Sequence, residues 1–303
     1  MSGETLVQKI HAGETHKIKG LTFRECDFQG RFHVTSILIF DSCHFVGCDF
    51  AYSSWNSAHF RNCTFNASSL ALASFEKCEF RGCRWERIGV SGNKTDLKRT
   101  FVENPGHLTA AMFSGLDPAK AGEREHACYQ WYRLAGTRAH VLRSIMLSHA
   151  TVGDEHIYFR TVQLHELQRN WARLCEDWYQ LRFSRNVRKL MAIAQIPLHG
   201  LNLALIWLLG WTNSWGESVS RPSLLLAAVF AIFGTIYSFV PFTPAIGHPW
   251  QKSFDITLLI GFTNHNSAGQ WPLTLVQDVH AILAVTLYTV FFSTLISKLS
   301  RTR

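Results

Sequence analysis

The sequence predicts a mixed fold: a β-solenoid at the N-terminus, a helical connector, and a C-terminal domain of membrane-spanning α-helices. Three observations predict it. A large apolar residue recurs at every fifth position from Phe40 to Trp85. An apolar stripe with helical spacing runs from Leu164 to Leu181. Within residues 222–303 the only charged side chains are Lys252, Asp255, Asp278, Lys298, Arg301 and Arg303. Whole-chain averages, 47% hydrophobic residues and a mean hydropathy of +0.01, blend these unlike parts. They exclude a disordered chain, which would be poor in aromatics, because 22 Phe and 10 Trp are present. Eight Cys in 303 residues are too dilute for a disulfide scaffold.

The repeat occupies residues 1–92. Its large series is Phe40, Phe45, Phe50, Trp55, Phe60, Phe65, Leu70, Phe75, Phe80 and Trp85. Two residues before each lies a second series, Leu38, Cys43, Cys48, Ser53, Ala58, Cys63, Ser68, Ala73, Cys78 and Cys83, small at all but its first place. Phe23 and Phe28 keep the same spacing, out of step by two across Gly30 to Ser36. Neither a helix nor a flat strand has a period of five; a solenoid with one unit per side does, with both series pointing inward. The cysteines then pack as small hydrophobes in a reducing compartment, and no CxxC pair marks a metal site. This pattern resembles the pentapeptide-repeat family over about residues 21–90. The resemblance implies a right-handed quadrilateral β-helix of four units per coil. Some members are acidic DNA mimics, but the net charge of +1 over residues 1–92 does not fit that role. A rigid spacer, or a docking surface for a cytosolic protein partner, is expected.

Residues 93–121 carry the turn signals Asn104–Pro105–Gly106 and Asp117–Pro118 and read as a linker. Residues 122–189 read as a cytosolic helical hairpin. Ala127, Trp131, Leu134, Val141 and Ile145 mark one helix face, and Asp154 is placed to cap a second helix. On that helix Leu164, Leu167, Trp171, Leu174, Trp178 and Leu181 alternate by three and four. The stripe is expected to close the hairpin on itself, with a subunit contact as the alternative.

The C-terminal domain, residues 218–303, contains two spans. Residues 222–242 and 279–297 carry no charge, and each is long enough for a hydrocarbon core of about 30 Å at about 1.5 Å per residue. Residues 190–217 are ambiguous, because Gln195, Pro197, His199 and Asn202 interrupt the apolar run. Charge arbitrates. Arg182, Arg185, Arg188, Lys189 and Arg221 precede the first span, and Lys298, Arg301 and Arg303 follow the second. Two spans place both basic clusters in the cytoplasm, so 190–217 is expected to lie in the interface, anchored by Trp207, Trp211 and Trp215. A multi-pass protein of the cytoplasmic (inner) membrane with both termini in the cytoplasm follows. Met1 to Gln8 is polar, so no cleavable signal peptide is expected. His248, His265 and His280 are expected near the outer face.

Between the spans, Pro249 can start a helix, and Ile260-Gly261-Phe262-Thr263-Asn264 follows it. A helix between two spans followed by a glycine–aromatic loop resembles the pore helix and loop, here 249–264, of the two-transmembrane potassium-channel family. The Trp215-Gly216-Glu217 turn and the closing Thr294-Leu-Ile-Ser-Lys-Leu-Ser-Arg resemble that family too. The resemblance implies a homotetramer in a lipid bilayer, with Thr257, Leu259, Ile260, Gly261, Phe262, Thr263 and Asn264 as pore and filter residues and monovalent cations as the permeating species. Leu259 stands where the family has threonine and Thr263 where it has a second glycine, which implies altered or weak selectivity. Two alternatives stay open: a non-conducting membrane-anchored scaffold that displays the β-helix, and a gated pore that depolarises its own cell. No GxSxG, P-loop, GxGxxG or HExxH occurs. No enzyme activity, catalytic residue, cofactor or metal is therefore expected, and no nucleic-acid partner, because no basic run is interleaved with aromatics.

Overall fold

A computed structural model describes residues 17–90, 95–113, 124–152, 154–184, 187–239, 248–258 and 271–301. The chain divides into two compact units, residues 1–206 and 207–303.

The first unit begins as a β-solenoid of about four turns. Its strands are β1 (Lys17–Lys19), β2 (Thr22–Arg24), β3 (Gly30–Asp41), β4 (His44–Val46), β5 (Ser53–Arg61), β6 (Thr64–Asn66), β7 (Ser74–Glu76), β8 (Glu79–Arg81), β9 (Arg84–Glu86), β10 (Ile88–Gly89), β11 (Asp96–Lys98) and β12 (Phe101–Val102). The period of five has a backbone origin. Two places after the large residue, the chain turns a corner in left-handed conformation: φ is 54° at Ser42, 52° at Asn62, 52° at Lys77 and 53° at Arg87. Gly47 and Gly82 fill the same place with φ of 65° and 64°. A left-handed residue is costly for a side chain and free for glycine, so the inward-facing core must hold these corners. Between corners sit three-residue strands with the central residue buried, as in β4, β6 and β9.

Among the described residues the solenoid strands pair in parallel and join equivalent places in successive coils, such as Phe45 with Phe65 and Phe65 with Trp85. Large residues therefore form columns. Phe60 stacks on Phe40 at 5.0 Å and on Phe80 at 4.8 Å, with interplanar angles of 3° and 5°. Members of the small series do more than fill space. Cys63 Sγ donates to the carbonyl of Phe40 at 3.4 Å and Cys83 Sγ to that of Phe60 at 3.3 Å, and Ser68 Oγ does the same for Phe45 at 3.3 Å. These cysteines and Ser68 thus tie their own coil to the large residue one coil below, whereas Ser53 bonds Phe50 three residues back.

Within the segment expected as a linker, 93–121, residues 95–102 instead add a coil to the solenoid. β11 pairs with β7 and β12 with β8. Thr95 and Thr100 take the small place, donating to the carbonyls of Leu70 and Phe75 at 2.8 and 2.9 Å. Leu97 and Val102 take the large place. They stand two residues out of step with Trp85, which hides the repeat from a strict five-residue count. Two helices then cover the last coil: α1 (Pro105–Ala111), followed by the short strand β13 (Met112–Phe113) paired with β10, and α2 (Arg124–Val152). Leu108, Met112, Val141 and Ile145 join the solenoid core. The helix α2 also serves the open backbone edge. Ser144 Oγ accepts from Leu97 N at 3.2 Å, Ser148 Oγ bonds both N and O of Thr100, and His149 Nε2 lies 3.3 and 3.1 Å from N and O of Val102.

Helix α3 (Glu155–Phe183) starts at Asp154, whose side chain accepts from Ile157 N at 3.0 Å. It packs against α2 partly through the expected stripe, where Trp171 lies edge-on to Trp131 at 5.8 Å, and partly through polar residues beside it. His165 Nδ1 lies 3.0 Å from the carbonyl of Ala139, and Gln168 Nε2 donates to that of Ala135 at 3.4 Å. Alanines on α2 let the helices approach closely enough for these bonds. Within the predicted apolar stripe the four leucines are half-buried, and Trp171 and Trp178 keep 42% and 53% exposure.

Helix α4 (Val187–Asn213) runs unbroken through Pro197, because Gln195, His199 and Asn202 do not interrupt it. His199 Nδ1 bonds Asp177 Oδ2, and Asn202 Nδ2 donates to Asn170 Oδ1 at 2.8 Å, so the polar residues form one edge against α3. In the second unit, a single 3₁₀ turn (Ser214–Gly216) leads to α5 (Ser220–Phe239), α6 (Pro249–Thr257) and α7 (Trp271–Arg301). Among the described residues, three helical stretches are long and apolar enough to cross a membrane: Val187–Gly216, Ser220–Phe239 and Thr274–Ser300. That is one more than the sequence predicts.

Candidate functional site

The candidate site is the clasp of α5 and α7 around the short helix α6. Pro249 takes the first helical place, where its missing N–H costs nothing. One turn on, Ser253 is fully buried and its Oγ donates to the carbonyl of Phe230 on α5 at 2.7 Å. The Trp250 ring lies over Gly234 so closely that a Cβ there would fall 2.5 Å from Cε3. Ile256, Phe233, Tyr237 and Ala281 form the apolar centre of the clasp.

At the C-terminal end of α6, Thr257 is buried and its Oγ1 lies 3.0 Å from Nε2 of His280 on α7. The Nδ1 of the same ring lies 3.1 Å from the Tyr237 hydroxyl on α5. Phe233 stacks on the imidazole at 4.1 Å and 10°. His280 therefore joins all three helices. A neutral imidazole offers one donor and one acceptor, so the two hydroxyls take opposite roles. With His280 wholly buried, the cluster has no access for a substrate and acts as a fixed joint.

Thr257, expected as a pore residue, turns its hydroxyl into the helix core. His280, expected near the outer face, is the centre of that core. His248 is exposed and immediately precedes α6. Leu259, Ile260, Gly261, Phe262, Thr263 and Asn264 lie outside the described residues, as does His265. The joint had a signal in the sequence: a Tyr and a His inside otherwise apolar spans are costly unless they pair.

Comparison with known families bears on the other end of the chain. A family model for pentapeptide repeats matches residues 43–82 in eight copies. Residues 43–82 are pentapeptide repeats. The match lies wholly within the solenoid, which runs beyond it in both directions, from β1 to β12. No curated protein matches the chain. Pentapeptide repeats joined to apolar helices are compatible with a membrane-associated protein.

Proposed function

We propose that the protein is a homotetrameric membrane pore that conducts monovalent cations with weak or altered selectivity, and that its solenoid is a cytoplasmic sensing or docking domain. The observation that carries this reading is the clasp itself: a nine-residue helix held between two long apolar helices, with its C-terminal end fixed by Thr257 and His280 where residues 259–264 begin. The last carbonyls of a helix carry partial negative charge that favours a cation. The sequence reads residues 259–264 as a loop, and non-helical backbone at membrane depth must be covered by protein or line a watery cavity, which favours several copies meeting there. Trp250, Phe254 and Leu258 on α6 are exposed at 40%, 49% and 40% in a single copy, leaving apolar surface for neighbouring copies or lipid.

Two spans, α5 and α7, fit this reading better than three. The first half of α4 hydrogen-bonds to α3, which carries Arg160, Glu166, Arg169, Arg173, Glu176 and Arg182 and so belongs outside hydrocarbon. Beyond Asn202 the remainder of α4 is about half a bilayer core long at about 1.5 Å per residue. Helix α4 then lies in the interface, and both ends of the chain share the cytoplasm.

A second reading, a non-conducting anchor that displays the solenoid, draws on the polar outer face formed by His59, Arg61, Glu79 and Arg81, where Glu79 reaches all three bases within 3.6 Å. Native mass spectrometry of the detergent-solubilised protein separates the two. Four copies per particle support the pore. Monomers or dimers at every lipid and protein concentration favour the anchor.

A further inference from the structure

The elbow between α4 and α5 bears an open pocket of about 310 Å³ lined by Trp211, Thr212, Arg221, Leu224 and Leu225. The elbow is a built turn. Trp215 has φ of 60°, and its ring covers Gly210, where any Cβ would collide with it. Asn213 Nδ2 donates to Thr294 Oγ1 on α7 at 2.9 Å, which ties the elbow to the end of α7 that carries Lys298 and Arg301. Thr212 Oγ1 is turned inward onto the Leu209 carbonyl at 2.6 Å. The pocket is thus left with one cation, one indole and two leucines.

Their order along the helix matches one ligand chemistry. Arg221 is the last charge before the uncharged run of residues 222–242. Its exposed guanidinium therefore sits at the boundary between headgroups and hydrocarbon. Leu224 and Leu225 follow about one turn deeper. Trp211 is half-exposed beside them, an amphipathic ring of the kind that settles at this depth. A guanidinium above two leucines complements a phosphate above an acyl chain, and arginine grips phosphate with paired N–H donors.

We propose that this pocket is a site for an anionic phospholipid. Arg221 pairs with the phosphate, Trp211 covers the glycerol region, and Leu224 and Leu225 hold the first methylenes of one chain. Inorganic phosphate shares the headgroup chemistry but gains nothing from the leucines. The proposal rests on α5 crossing a membrane and not on conduction.

The test is the thermal unfolding of the full-length detergent-purified protein, titrated separately with phosphatidylglycerol, phosphatidylcholine and inorganic phosphate. Phosphatidylglycerol raises the midpoint in a saturable way, and the other two do not. Arg221→Gln shifts the half-maximal concentration of phosphatidylglycerol at least tenfold upward. Arg221→Lys gives a smaller shift, and Arg188→Gln, outside the pocket, gives none. An equal response to phosphatidylcholine, a full response to phosphate alone, or a wild-type response from Arg221→Gln overturns the site. Flotation with vesicles of each lipid separates this from failure of the membrane reading. A protein that floats with both vesicle types yet shows no preference refutes the site alone, and one that floats with neither refutes the membrane reading and the site with it.

Discussion

Phe60 is held between Phe40 and Phe80 with no exposed surface, so its ring is shared by three coils. Phe60→Ala removes that ring from a stack that cannot collapse without moving two neighbouring coils. The expected loss is about 3–5 kcal/mol, read by urea unfolding followed through strand circular dichroism. The small series carries a pH dependence of its own. Burial pushes the thiols of Cys48, Cys78 and Cys83 up to about 11, 12 and 12 from an ordinary 9. Above pH 9 the unfolded chain loses these protons while the folded chain keeps them. Stability is therefore full below pH 9 and falls between pH 9 and 12. Unfolding midpoints measured from pH 7 to 11 should fall over the upper half of that range, and Cys78→Ser with Cys83→Ser should flatten the fall. In the membrane unit, His280→Leu leaves the Thr257 hydroxyl without its imidazole partner in the core. An unsatisfied buried hydroxyl costs about 1–3 kcal/mol, so the thermal midpoint of the detergent-purified protein drops. The triple replacement Thr257→Val, Tyr237→Phe, His280→Leu recovers part of that drop, because no polar group is then stranded.

At the scale of elements, the clip made by Ser144, Ser148 and His149 joins the solenoid to its helical hairpin. Burial holds the His149 imidazole below the ordinary 6.5 despite its bond to Val102. Acid therefore protonates the unfolded chain first, and stability is lost as pH falls below 6.5. Thermal midpoints between pH 7.5 and 5 should decline, less steeply in His149→Phe. His165, buried against Ala139, and His59 on the solenoid are held down by burial in the same way and add to the slope. Helix α4 makes a sharper prediction. If it lies in the interface, reporters fused to the two termini face the same side of the membrane; if it crosses, they face opposite sides. Protease protection of tagged protein in sealed vesicles reads this directly. The α3 stripe shows where sequence logic misleads. Leu164 to Leu181 is the most regular apolar spacing on the hairpin, yet hydrogen bonds to α2 come from His165 and Gln168 beside it, while Trp171 meets Trp131 and Trp178 stays exposed. Spacing reports that a face is apolar but does not say which neighbour covers it. The fourth coil fails for a related reason: Thr95–Leu97 and Thr100–Val102 keep the five-residue rule, and a two-residue slip before them breaks the count.

At the scale of the whole molecule, the two ends were not equally legible. The solenoid could be read residue by residue, because each five-residue unit repeats one local geometry and every large residue points inward. The short helix α6 was legible from Pro249 and its flanking apolar runs. The joint that holds it was not, since Tyr237, Thr257 and His280 come from three helices and meet only when these pack. Charge distribution pointed to a membrane, and the hydrogen bonds of His199 and Asn202 to α3 then bear on how many helices cross it. The proposed pore rests on the clasped short helix between two apolar helices. Single-channel recording of the purified protein in planar bilayers tests that claim most directly. The account predicts discrete cation currents that Gly261→Leu abolishes while the protein still folds and inserts. Silent bilayers containing verified tetramers, across ions, voltages and pH, would contradict it.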